Sequence, residues 1–201
     1  MLRSAQNDKP ESDASATCGK RLGRLGAFLQ PWSRPAFRHI PASSPFGVLD
    51  FRFAGRSADN RWNEPGEPTV YLASDRGVAL AELTRHFHEA PLPPSGLHLV
   101  ERAIFRLEVA VEALIDMRDP GVHRALSLMS APHCFLDRGI ARATAQFPRR
   151  TTAAQALLAP SMAFLDAPER WVLVLFLDKL PADHRRFITA VEAAGTFRVG
   201  A

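Results

Sequence analysis

Cysteine is scarce in this chain, and the scarcity excludes two architectures. Cys18 and Cys134 are the only cysteines, too few for a disulfide framework or a thiolate zinc site. Long apolar runs are missing as well. The longest, Trp171 to Leu177, suits a buried strand and falls short of a membrane span. The N-terminus has no hydrophobic signal-peptide core, so a soluble, cytoplasmic protein without membrane contact is expected. There is no glycine-rich phosphate loop, no GxSxG, no internal repeat and no His/Cys/Asp cluster with metal spacing, so no metal is expected. His86 and His88 sit two apart on a helical pattern and would face different directions. Charge of one sign is not concentrated either. The net charge of +4 favours anionic ligands, phosphates included, but the basic residues are scattered. The aromatic residues are dispersed as in a core, not interleaved with Arg and Lys as on a nucleic-acid sheet.

What is present is enough for one good core. The chain has 201 residues, 46% of them hydrophobic, and a single domain is the default at that size. Sixteen prolines and twelve glycines imply many turns and short elements. Residues 1–35 are expected to form a disordered or weakly ordered arm. Met1 to Lys20 is polar, and Arg21 to Leu29 is either a glycine-weakened basic helix or a partner-binding arm. The folded domain is expected over residues 36–201. Its strands are expected at Phe37–Ile40, Leu49–Phe53, Thr69–Leu72, Leu97–Val111, Leu114–Met117, Met162–Leu165, Trp171–Leu177, Phe187–Val191 and Thr196–Val199. Helical segments are expected at His123–Met129, Asp137–Phe147 and Thr151–Leu158.

The stretch from Asn60 to His88 organises the rest. Pro65-Gly66 reads as a turn, with proline presetting φ and glycine accepting φ > 0. Thr69-Val70-Tyr71-Leu72 has the composition of a half-buried strand. Ser74 is placed to cap a helix whose apolar residues Leu80, Leu83 and Phe87 form one stripe. Glu82 then points away from that stripe, on the side of Val78, Ala79 and His86. Periodicity alone leaves it as either a solvated glutamate or a cleft residue facing Tyr71 and Arg61.

The ordered set Arg61-Trp62-Asn63, Gly66, Tyr71-Leu72-Ala73, Ala79-Leu80-Ala81-Glu82 and Ala159-Pro160-Ser161 resembles the RES domain, a bacterial toxin family named after its arginine, glutamate and serine. The resemblance covers about Ala36 to Val199. It implies an α+β fold, a twisted mixed β-core with flanking helices similar to the ADP-ribosyltransferase toxins. It also implies destruction of NAD, most simply by phosphorolysis of the nicotinamide–ribose bond. NAD is then the substrate, the acceptor is phosphate in a phosphorylase or water in a glycohydrolase, and there is no true cofactor. The alternatives are ADP-ribosyl transfer to a protein or metabolite, or a catalytically silent binding module. Carried over, the site comprises Glu82, Arg61 and Ser161 as catalytic residues, with Arg38, Arg61, Tyr71 and Ser161 holding NAD. Arg38 is the better match for the family's first arginine, and Arg52 is the competitor. Arginine supplies a bidentate fork for the diphosphate, and Tyr71 a ring to stack on nicotinamide plus a hydroxyl. Ser161 either fixes the nicotinamide ribose or orients Glu82. The implied partner is an antitoxin from a neighbouring gene, with nucleic acid reached only through it and homo-oligomers allowed in the complex. Where the family often has an asparagine, this chain has Glu169-Arg170-Trp171.

Overall fold

The computed structural model describes residues 25–89 and 101–198, with side chains of 86–89 excepted. The expectations for Met1–Lys20, for Leu97–Val100 and for the side chains of His86 and His88 lie outside the described residues. Six strands form one sheet: β1 (Gln30–Pro41), β2 (Thr69–Ala73), β3 (Glu101–Asp116), β4 (Ala156–Pro160), β5 (Trp171–Phe176) and β6 (Ile188–Arg198). The α-helices packed with them among the described residues are α1 (Arg76–Glu89), α2 (Pro120–Leu126) and α3 (Arg138–Thr151). The strands run in the order β1-β2-β5-β4-β3-β6, and β1 also pairs with β3. That extra pairing bends the sheet into a closed ring. Its seams are unequal. β1 follows β3 along almost its whole length, from Gln30↔Leu114 to Pro41↔Arg102. It meets β2 at Phe37↔Ala73 alone.

Strand pleating divides the core in two. Val70, Leu72, Ala156, Leu158, Trp171, Leu173 and Leu175 point into the ring with Trp32, Leu107 and Leu114. The alternate residues Ala73, Leu157, Ala159, Val172, Val174 and Phe176 point outward, against Val78 and Ala79 of α1 and Ala141 and Ala145 of α3. Strands covered on both faces lose the alternation of polar and apolar residues. Every residue of β4 and β5 is buried, which is why Trp171–Leu177 reads as a continuous apolar run.

Several expected elements are placed differently. Thr151–Leu158 is not a helix: α3 ends at Thr151 and Ala156–Pro160 is a central strand, so burial between two neighbours overrides the helical preference of Ala and Leu. Met162–Leu165 is not a strand. It belongs to a chain of turns closed by Phe164 N–H to Ser161 O, Ala167 N–H to Phe164 O and Arg170 N–H to Ala167 O. Leu49–Phe53 is likewise a turn region, with Asp50 N–H on Gly47 O and Ala54 N–H on Phe51 O. The two strands expected at Phe187–Val191 and Thr196–Val199 are replaced by one, β6 over Ile188–Arg198, with Gly195 at φ +106° where its register with β3 shifts. Residues 25–35 join the fold, since Leu25 is fully buried and β1 starts at Gln30.

Candidate active site

A cleft of about 400 Å³ opens at the weak β1–β2 seam. Its walls come from Arg38 and His39 of β1, Tyr71 of β2, Glu82 and Arg85 of α1, and the loop carrying Phe53, Asn60 and Arg61. Strands joined at a single pair leave the space that side chains from α1 and the 42–68 loop enclose.

Glu82 reaches the cleft because α1 packs on the outer face of the ring. Asp75, rather than Ser74, caps the helix, accepting from Val78 N–H at 2.9 Å. Ser74 instead donates to Asp75 at 3.0 Å. Among the described side chains of α1 the buried ones are Val78, Ala79 and Leu83, and Glu82, half-buried, flanks them. Glu82 Oε1 accepts from Ser161 Oγ at 2.6 Å and from Ala163 N–H at 3.1 Å. Ser161 is fully buried. Its hydroxyl is directed at the glutamate from behind the cleft wall. Two donors on one oxygen fix the plane of the carboxylate.

Arg61 is anchored to the opposite wall. Its Nη1 donates to Phe135 O and Leu136 O, both at 2.8 Å, the last two carbonyls of a 3₁₀ turn at His133–Leu136. α3 holds the same loop from beneath. Arg142 Nε donates to Asn60 O at 2.9 Å, and Arg138 pairs with Asp59 at 3.4 Å. Arg38 donates to Val48 O and lies over the Phe51 ring at 4.8 Å. Burial lowers its guanidinium to about 10, with Asp50 opposing the shift, and it remains charged at neutral pH. Arg52, the competitor, sits outside the cleft wall. Its side chain is 61% exposed and paired with Asp50 at 2.8 Å.

Tyr71 faces the cleft with a committed hydroxyl. It donates to Asn63 Oδ1 at 2.6 Å and accepts from Trp62 N–H at 3.0 Å. Burial pushes the phenol above its ordinary range, the bond from Trp62 N–H opposing, so it stays protonated. The hydroxyl is thus tied to the loop that carries Arg61, and Tyr71 lines the cleft.

Residues matching the RES domain span 30–196. The chain belongs to the RES domain family. A solved structure with the same fold is the MbcT toxin in the M. tuberculosis MbcT–MbcA toxin–antitoxin complex, at TM-score 0.62 and 17% identity over 91% of this chain and 92% of that one. No curated protein matches.

In this RES domain the departure at Glu169-Arg170-Trp171 has a local role. Arg170 lies over Phe164 at 4.4 Å and reaches Asp75 at 4.0 Å, tying the segment after Ser161 to the start of α1. Two site-building residues had no signal in the sequence. Gly55 has φ +77°, and a Cβ there would lie 1.7 Å from Glu67 O. Its own carbonyl accepts from Gly66 N–H at 2.9 Å and Asn63 Nδ2 at 3.2 Å. His39, beside Arg38, has a buried Nδ1 without a hydrogen-bond partner. Burial lowers its pKa to about 4, with Arg102 and Arg38 adding to the shift, so its ring is neutral. Among the described residues no group of three or more His, Cys, Asp and Glu side chains is arranged to hold a metal, and no helix is long and apolar enough to cross a membrane.

Proposed function

We propose that this RES domain is an NAD-consuming toxin that breaks the nicotinamide–ribose bond, with phosphate as the acceptor. The observation that carries the reading is a carboxylate fixed by two donors in the wall of a cleft whose other walls bear arginines: Glu82 on Ser161 Oγ at 2.6 Å, facing a site shared with Arg38 and Arg61. When the C1″–N1 bond of NAD breaks, nicotinamide leaves as a neutral base with the bonding pair. Positive charge then develops on the ribose. A fixed carboxylate next to that charge stabilises the transition state more than the ground state. Arg38 and Arg61 suit the diphosphate, and the Tyr71 ring suits the flat nicotinamide. A phosphate oxygen completing the bond to C1″ yields ADP-ribose 1″-phosphate, and water yields ADP-ribose.

The toxin part of the reading is supported by the RES family membership and by the fold shared with MbcT. An antitoxin covering the cleft is the corresponding partner. The test is incubation of the purified chain with NAD, with and without phosphate, followed by identification of products. Nicotinamide released with ADP-ribose 1″-phosphate is expected. ADP-ribose in both arms makes the enzyme a glycohydrolase, and label on protein makes it a transferase. No release of nicotinamide under any condition sinks the enzyme reading.

A further inference from the structure

The described residues include two exposed aromatic rings, and both lie on the loop at the cleft. Phe46 is 39% and Phe53 54% exposed, with ring centroids 5.7 Å apart. The loop does not leave Phe53 outside for want of order. Phe51, two residues earlier, is buried, and the Ala54 N–H bond to Phe51 O turns the chain between them. Gly55 then locks the turn against Glu67, in a backbone conformation that only glycine adopts without strain. Phe53 is thus held outward at the cleft wall. An aromatic face is therefore presented at the mouth of the cleft.

Each ring carries an arginine on its face, and the two arginines differ. Arg52 lies over Phe46 at 4.8 Å and is pinned to Asp50. Arg56 lies over Phe53 at 5.0 Å, and among the described residues no carboxylate pairs with it. The guanidinium shows that the Phe53 face admits a flat delocalised group. A purine is such a group, and guanidinium and purine faces stack on each other as well. The cleft volume is near the low end of the roughly 300–1,000 Å³ usual for small-molecule sites, so a dinucleotide seated on Glu82 extends onto the rim.

We propose that Phe53, with Arg56, forms a stacking subsite for the purine half of a dinucleotide whose other half reacts at Glu82. The proposal rests on the NAD reading for the identity of the dinucleotide. Base–aromatic stacking contributes about 1–3 kcal/mol per base, so its loss weakens binding by about ten-fold or more.

The test uses the full chain and calorimetry, which needs no turnover. Kd values are measured for ADP-ribose, which has the purine, and for nicotinamide mononucleotide, which lacks it. Phe53→Ala is expected to weaken ADP-ribose about ten-fold and leave nicotinamide mononucleotide unchanged. Phe53→Trp is expected to restore the affinity. Equal ADP-ribose affinities of wild type and Phe53→Ala overturn the subsite, as does an equal loss for both ligands or no ADP-ribose binding by wild type. Binding of ADP-ribose through Phe53 by a protein that releases no nicotinamide would sink the reaction and keep the subsite.

Discussion

Two polar clusters dominate the interior of this RES domain, and they are built in opposite ways. One centres on Arg149 of α3, which is 4% exposed. Its guanidinium pairs with Asp178 at 2.5 Å and Glu67 at 3.4 Å, donates to Thr69 Oγ1 at 3.0 Å and Pro68 O at 3.4 Å, and lies over Phe176 at 4.8 Å. The partners surround the cation on every side, and no part of it reaches the cleft wall. The other centres on Glu82, whose two hydrogen bonds both fall on Oε1 while the side chain lines the cleft. A charge enclosed by partners holds a fold together. A charge held from one side and presented to a cleft is arranged to meet something else. Burial and hydrogen bonding alone do not separate the two, and the direction of the remaining surface does.

Removing charge from each cluster should therefore break different properties. Glu82→Gln keeps an acceptor for Ser161 and Ala163 but removes the negative charge. NAD turnover is expected to fall by roughly two to three orders of magnitude, with the melting temperature nearly unchanged. Wild-type turnover from a folded Glu82→Gln protein would remove Glu82 from the chemistry. Arg149→Ala is expected to do the reverse. It strands Glu67 and Asp178 and should destabilise the chain by about 3 kcal/mol, the lower part of the range for breaking a buried pair, because the Asp178 side chain is 40% exposed. Activity per folded molecule should persist. Urea unfolding with activity measured on the same samples checks both, and a stable but inactive Arg149→Ala would make the hub part of the site.

Ser161→Ala sharpens the comparison at a smaller scale. It removes the shorter of the two bonds on Glu82 Oε1 and leaves the one from Ala163 N–H. A hydrogen bond to a charged group contributes about 1.5–3 kcal/mol, so kcat should drop ten-fold or somewhat more. KM for NAD should change little, because Ser161 is buried behind the wall. A raised KM with intact kcat would return Ser161 to direct contact with the ribose.

The sequence was informative about this division only in part. The order Arg61, Tyr71, Glu82, Ser161 was legible through its family resemblance, and the chain does bring the first three to one cleft with Ser161 behind it. The α1 periodicity placed Leu83 in the buried stripe but missed Val78 and Ala79, and it left Glu82 open between solvent and a cleft. The helix buries Val78 and Ala79 because the ring's outer face is itself covered, a fact that depends on the sheet closing and not on any local pattern. For the same reason Thr151–Leu158 read as helix: only its place between β3 and β5 makes Ala156–Pro160 a strand. Gly55 and the Arg149 hub depend on contacts with residues far along the chain, and one sequence carries no trace of such pairing.

The smallest expected effect concerns His39, which stands between the two kinds of cluster: buried like Arg149, but at the cleft wall like Glu82. Its pKa falls from 6.5 to about 4, through burial first and then the charges of Arg102 and Arg38. Between those values the unfolded chain binds a proton that the folded chain does not. Stability contributed by the neutral ring is therefore complete above the unfolded pKa and is lost as pH falls towards about 4. In wild type the unfolding free energy should decline from pH 7 to pH 4.5 by more than in His39→Phe, which cannot take up a proton. Phenylalanine keeps a flat ring against Phe197, which His39 meets edge-on at 6.0 Å. Chemical denaturation of both proteins across that pH range measures the difference. Parallel pH curves for the two would mean that His39 is solvated well enough to titrate normally, and would leave its Nδ1 with a water for a partner.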